Sequence, residues 1–288
     1  MKIGIGLPNP VPGVDGRLLV EWARRAEAAG FSTLATIDRL AYPSYESITV
    51  LAAAAGATDR IGLLTNILLA PTRTPVVLAK EAASIYHLSD GRFTLGVGVG
   101  GRADDFDVSD VPFDARGRRM DRMLDLMRRA WRGEAIEGCN SAVNPGPPLE
   151  GGVPLLIGGT TDRAIQRTVE FGSGWTAGGA PPDQVAPFVE RVRKAWSEAG
   201  REGEPRTAAL TYFALGEGKE SASRQYLEDY YRFLGSDTAR MIADWTPRTP
   251  EAVKQTAEAF EAIGIDEFVF DPTVADLDQI DLLASIVL

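Results

Sequence analysis

A closed α/β barrel of the (β/α)8 type is the architecture these 288 residues predict, and three observations carry that expectation. Short β-rich runs alternate with helix-length amphipathic segments along the whole chain, as in a parallel sheet covered by helices. Eight such runs occur, the number that closes a barrel. No internal repeat, charge block or Pro/Ser-rich linker divides them, so one domain over 1–288 is preferred to a doubly wound sheet or two modest domains.

The elements follow in order. KIGIGL (2–7) alternates as a strand, and RLLVEWARRAEAAGF (17–31) has a helical apolar period that stops at Gly30. STLATI (32–37) is a strand and SITVLAAAAGA (47–57) a helix. That helix is apolar nearly all round, more than one barrel surface requires, so it is expected either at a homodimer interface or under a neighbouring loop. RIGLLTNILLA (60–70) is a strand, PVVLAKEAASIYHLS (75–89) a helix, RFTLGVGVG (92–100) a strand, and 116–132 a long helix. GEAIEGCNSAVNPGPPLEGGVP (133–154) has no sustained period and is rich in Gly, Pro and Asn, which makes it an insertion loop. The alternation resumes with strand 154–158, helix 162–171, strand 174–178, helix 183–199, strand 207–215, helices 220–234 and 250–263, strand 267–271 and helix 277–287. Substrate specificity is expected to vary at 133–154 and at 235–249.

Composition narrows the chemistry. No apolar run approaches the roughly 18 residues needed to cross a bilayer, and MKIGIGLPNP enters a strand without an export signal, so a cytoplasmic protein is expected. Cys139 is the only cysteine and His87 the only histidine, which excludes an internal disulfide and any zinc site built on thiolates or imidazoles. The net charge of −10 argues against a nucleic-acid partner, while leaving room for a local anion pocket.

Barrel chemistry lies at the C-terminal ends of the strands. That rule nominates Asn9, Asp38, Arg39, Asn66, Ala70, Gly100, Asp104, Asp105, Gly158–Thr161, Gly178, Gly179, Tyr212 and Asp271. In PLLIGGTTDRAIQRTVEFGSGW (154–175) a buried strand breaks into Gly158, Gly159, Thr160 and Thr161 before a helix. Free N–H groups and hydroxyls at a helix N-terminus suit a phosphate or carboxylate, and an ordinary strand-to-helix turn with a threonine cap is the alternative. His87 falls near the end of a helix leading into the fourth strand, away from the mouth, so a Ser/His/Asp triad is not expected. No G-x-S-x-G elbow appears, and no lysine stands at a strand end for a Schiff base. GVGVGG (96–101) continues a strand, so it is a poor dinucleotide fingerprint; its glycines would let backbone approach a flat ligand. Sparse catalytic side chains beside a flat, anionic ligand site point to a redox cofactor that carries the chemistry itself.

Several ordered segments resemble the luciferase-like monooxygenase superfamily. PTRTPVVLAKEAASIYHLSDGRFTLGVGVGG (71–101) is the most specific, supported by AEAAGFSTLATID (26–38), FDARGRRMDRMLDLMRRAW (113–131), PLLIGGTTDRA and FGSGW. The resemblance implies a (β/α)8 barrel, commonly dimeric, holding FMN or the deazaflavin coenzyme F-420 in its mouth. It places the cofactor phosphate near Gly158, Gly159, Thr160 and Thr161, with backbone contacts from Gly178 and Gly179. It places a non-prolyl cis peptide at Asn66–Ile67 beneath the ring; Ala70 and Gly100, nominated by the strand-end rule, are expected as further cofactor contacts. An ordinary trans strand with Asn66 hydrogen-bonded inside the barrel is the alternative.

Asp104 and Asp105 match positions where family members often carry Asn and Glu facing ring or substrate; a solvated acidic loop is the other reading. The family's deazaflavin enzymes often have Asp-His after the second strand, where this chain has Asp38–Arg39. Arg39 is a poor general acid but would suit an anionic substrate or reduced flavin, unless it forms a surface ion pair with Asp38. Tyr42, Tyr45, Asp104 and Asp105 then stand as candidate proton donors. The implied activity is oxidation or reduction of a small organic substrate, with a flavin reductase or a supplier of reduced deazaflavin as partner. A flavin-binding barrel without turnover, or a cofactor-free barrel lyase or isomerase, is the alternative.

Overall fold

The computed structural model describes residues 1–138, 141–146 and 149–288. Its strands are β1 (Lys2–Gly6), β2 (Thr33–Thr36), β3 (Gly62–Thr65), β4 (Leu68–Leu69), β5 (Phe93–Gly98), β6 (Leu155–Gly158), β7 (Gly174–Thr176), β8 (Arg206–Phe213) and β9 (Glu267–Pro272). Every pairing is parallel, and the β3–β5 pairing closes the ring. The run read as one strand over 60–70 is two, β3 and β4, separated by a cis peptide at Asn66–Ile67. Together they make a single stave, so the barrel has eight.

The helices are α1 (Gly16–Ala29), α2 (Ser47–Ala57), α3 (Pro75–Leu88), α4 (Ala103–Asp107), α5 (Arg116–Trp131), α6 (Asp162–Phe171), α7 (Pro182–Glu198), α8 (Glu220–Tyr230), α9 (Ser236–Trp245), α10 (Pro250–Ala262) and α11 (Asp278–Val287). Local chemistry sets their ends. The Asp15 carboxylate accepts from the Arg17 N–H to open α1, and Gly30, at φ 97°, closes it through the Ala26 and Glu27 carbonyls. Thr249 caps α10 in the same way, with Pro250 in its first turn.

Two boundaries differ from expectation. The helix read over 220–234 ends at Tyr230, and α9 occupies most of the segment left unassigned at 235–249. Both α8 and α9 follow β8, on the face where the strands end. The segment over 133–154 joins the end of α5 to the start of β6, on the opposite face. Its described residues pack there, with Ile136 and Val153 buried and the Leu149 N–H bonded to the Trp131 carbonyl. The described part of the segment therefore stands away from the strand ends, whereas α8 and α9 follow one. Cys139 lies outside the described residues.

Inside the barrel the side chains form tiers. At the bottom Arg206 pairs with Glu267, which also accepts from the Thr33 hydroxyl, while Arg206 Nη1 donates to Thr94 at 2.9 Å. The middle tier is apolar: Ala35, Leu64, Leu156, Ala208, Leu210 and Val269. One inward position further along the same strands stand Asn66, Tyr212 and Asp271. The larger core lies between sheet and helices, around Trp22, Phe93, Trp131 and Phe268. α2 buries Ile48, Val50, Leu51, Ala54 and Ala55 within its own chain and exposes Thr49, Ala52, Ala53 and Gly56. Among the described residues, no helix is long and apolar enough to cross a membrane.

Candidate active site

The floor of the mouth is built where the third stave breaks. Asn66 is buried, and its Oδ1 accepts from the Thr176 hydroxyl at 2.7 Å across the barrel. Its Nδ2 has no partner. Ile67 is half-buried, and two glycines make room for it. A Cβ on Gly98 would come within 2.6 Å of Ile67 Cδ1, and one on Gly158 within 3.1 Å of its Cγ2. A Cβ on Gly96 would overlap the Thr65 carbonyl. The glycine run after the fourth stave therefore accommodates the neighbouring broken stave first, and only through Ile67 the ligand that the sequence reading placed against it. Gly100, at φ 77°, packs over Leu69 and Phe106, and Ala70 is buried in a 3-10 turn behind the floor.

Beside this floor the fifth and sixth staves end in an exposed turn. Gly159 has φ 120°, a backbone region that L side chains rarely adopt. Trp175, buried outside the barrel and stacked on Phe188, donates from Nε1 to the Gly159 carbonyl at 2.8 Å and fixes the turn from behind. The Thr161 hydroxyl accepts from the Ala164 N–H as the cap of α6, and Gly159, Thr160 and Thr161 are exposed. Gly178 and Gly179, also exposed, lie past the end of the adjacent β7. Nothing stands within 4 Å of a Cβ built on Gly178, so the space above the turn is open.

The acidic and basic residues after the second and fourth staves hold loops together. Asp38 is buried, accepting from Leu69 N–H at 2.9 Å, Ser47 Oγ at 3.2 Å and Arg73 Nη2 at 2.8 and 3.0 Å. Arg39 does not pair with Asp38 at the surface; it is buried and bonds Asp105 through Nε and Asp104 through Nη2. Asp105 is fully buried and also accepts the Leu40 and Ala41 N–H groups at 2.8 Å. Asp104 remains about half exposed at 54%. Arg73, which sequence spacing did not single out, is the ion-pair partner of Asp38, and Arg102 lies 4.2 and 4.0 Å from the ring centres of Tyr230 and Phe233. These contacts tie the loops after staves two, three and four to α8 and the turn beyond it.

A tyrosine cluster walls the mouth on the side of staves seven and eight. Tyr212 and Asp271 are register neighbours on β8 and β9. The Tyr212 and Tyr231 hydroxyls are 2.6 Å apart, and burial pushes the Tyr231 phenol up to about 12. Tyr42 is likewise pushed up to about 12, by burial and then by Asp229, so it stays a neutral phenol. Burial alone raises the Asp271 carboxyl well above the usual carboxylate range. Asn9 is buried, donating from Nδ2 to the Ile37 and Tyr45 carbonyls.

A wide groove of about 1570 Å³ lies on the far side of this cluster, between the β1–α1 loop, α8 and the β9–α11 loop. Its charges are largely paired with one another, Lys219 with Asp276, Arg224 with Glu220 and Arg232 with Asp229. The glycine-lined floor carries an unpartnered amide donor, Asn66 Nδ2, that a bound ligand would satisfy, while the groove is bordered by the unpartnered Tyr42 and Tyr226 hydroxyls.

An eight-stave parallel barrel with an open, glycine-lined quarter of its mouth beside a capped helix N-terminus is a ligand-binding (β/α)8 barrel of the enzyme kind. The family model described as luciferase-like monooxygenase matches residues 1–269, and the chain belongs to that family. An uncharacterised protein of Mycobacterium tuberculosis is 31% identical over 217 residues, covering 65% of this chain and 74% of that one. A putative coenzyme F-420-dependent oxidoreductase of the same species is 28% identical over 198 residues, covering 62% and 55%. Among solved structures, a monooxygenase from Streptomyces bottropensis superimposes with a TM-score of 0.83 at 23% identity, over 100% of this chain and 98% of that one. An F-420-dependent secondary alcohol dehydrogenase gives 0.80 at 18%, over 99% and 98%. At such identities these two establish the shared barrel. The family places the activity among oxidoreductases and monooxygenases.

Proposed function

We propose that the protein is an oxidoreductase that binds reduced FMN or the deazaflavin coenzyme F-420 in the barrel mouth and acts on a small organic substrate. The observation that carries this reading is the half-buried Ile67, set over Gly98 and Gly158 beside the open turn Gly158–Thr161. A flat apolar ring fits against Ile67, the orphan Asn66 Nδ2 offers a donor to a ring heteroatom, and an anionic tail fits Thr160, Thr161 and the glycines at 178 and 179. The relative described as F-420-dependent and the monooxygenase neighbours support the two versions alike.

When bound, the cofactor supplies a two-electron reduction, either of oxygen or of the substrate. The chain's own residues do the rest. Trp175 holds the turn in shape, the Asp38–Arg73 and Arg39–Asp104–Asp105 ion pairs fix the loops above the floor, and the tyrosine wall excludes water from one side. A supplier of reduced cofactor and a homodimer through the exposed strip of α2 complete the proposal. Anaerobic spectral titration of the purified protein with reduced FMN and with F-420 tests it: saturable binding of one supports the reading and selects the version, and binding of neither refutes it.

A further inference from the structure

Asp271 is the inward residue at the C-terminal end of β9 and only 2% exposed, yet neither carboxyl oxygen has a hydrogen-bond partner. An isolated carboxylate in such a place is costly, and a carboxyl left so normally stays protonated or meets a ligand. The space it fills belongs to Gly6, where any Cβ would overlap Asp271 Oδ1. No cation faces it. The titratable groups around it are Tyr212 on the neighbouring strand and Tyr226 and Tyr231 from α8 and its C-terminal turn, all neutral phenols, while β1 presents Gly6. Glu267, two inward positions down the same strand, is paired with Arg206.

A hydrogen-bonded pair of phenols, Tyr212 and Tyr231, packs on this side of the mouth. Tyr212 stands beside it across about 4.8 Å of sheet spacing. The Tyr212 ring also passes within 3.8 Å of a Cβ built on Gly179, at the edge of the open turn. Its hydroxyl meets that of Tyr231, which is half-buried and stacks on the exposed Phe233 at the rim. No histidine enters the mouth, because His87 sits at the last turn of α3, on the opposite face.

We propose that Asp271 is the proton donor to a ligand held in the mouth. The inference rests on the mouth being the redox site. In the step itself the carboxyl O–H bond breaks and its proton joins a lone pair of a substrate oxygen or nitrogen that gains negative charge as the substrate is reduced. Asp271 is left as a carboxylate. A solvent proton restores the acid once the product leaves, so the carboxyl ends as it began.

Two measurements need no cofactor. Carbon-13 NMR of labelled aspartate side chains across pH should show one carboxyl, absent from Asp271→Asn, that remains protonated at neutral pH. Stability should follow with a definite sign. Because the folded protein holds this proton more tightly than the unfolded chain, stability falls as pH rises from about 3.9, the ordinary value, toward the raised folded value. Asp271→Asn should then unfold at a higher urea concentration than wild type at neutral pH, and the gap should close in acid.

With cofactor and substrate supplied, Asp271→Asn should keep cofactor affinity within about twofold and lose turnover by roughly 100-fold or more, the size of a general-acid contribution. The alkaline limb of its pH profile should vanish. An Asp271 carboxyl that titrates in the usual carboxylate range, or a variant with unchanged turnover, overturns the assignment while leaving the cofactor reading intact. Failure to bind either cofactor overturns that reading, and the donor role with it.

Discussion

Replacing Arg73 with Met should destabilise the protein severely, and the reason can be worked through atom by atom. Asp38 is buried with its side chain 1% exposed, and Arg73 Nη2 reaches both of its oxygens, at 2.8 and 3.0 Å. Without the guanidinium, only the Leu69 N–H and the Ser47 hydroxyl remain to hold the buried charge. Removing one partner of a buried pair typically costs about 3–5 kcal/mol, because the other charge is left uncompensated. At roughly 2–4 °C per kcal/mol for a chain somewhat smaller than this one, the melting temperature should fall by about 6–20 °C.

Urea and thermal unfolding at neutral pH measure this directly. The double variant Arg73→Met with Asp38→Asn should recover part of the loss, since a neutral amide can still accept from Leu69 and carries no stranded charge. Because Leu69 lies two residues beyond Ile67, the single variant should also weaken cofactor binding. A loss under about 1 kcal/mol for Arg73→Met, the range of exposed pairs, would refute the claim that Asp38 depends on it.

Other outcomes follow from the same geometry. Thr160→Ala should weaken cofactor binding without affecting stability, by about 1.5–3 kcal/mol if its hydroxyl meets a charged phosphate oxygen. Thr161→Ala should add about 1 kcal/mol of lost stability, because its hydroxyl caps α6; calorimetric titration and urea unfolding separate the two effects. Gly96→Ala should cost about 1–3 kcal/mol from overpacking against the Thr65 carbonyl, whether or not a cofactor is present, and unfolding of the two forms in parallel checks it.

Much of the barrel was legible because burial leaves a periodic trace. The strands buried on both faces read as short apolar runs, and helices such as 162–171 showed both their cap and their stripe. The broken third stave did not show itself, since Leu63, Leu64, Leu68 and Leu69 read as one continuous apolar run around Asn66. Only the family resemblance pointed to its cis bond. α9 was hidden between Gly235 and Pro247 in a segment with few buried residues.

At the site, the strand-end rule found Asp38, Arg39, Asp104 and Asp105 but could not say to whom they were bonded. Arg73 lies 35 residues from Asp38, and nothing in local spacing joins them. Asp271 was visible as a strand-end acid. That it lacks any partner is a property of the packed barrel, decided by Gly6 on a strand at the other end of the chain.

The trade between one isoleucine and two glycines has a practical corollary for anyone reshaping this scaffold. Because Gly98 and Gly158 yield their volume to residue 67, the depth of the seat is governed by a single codon: valine there would lower it by one methyl, and alanine would open a hollow. Edits to either glycine instead would push against that same side chain, so an engineer should vary position 67 first and treat the other two as fixed masonry.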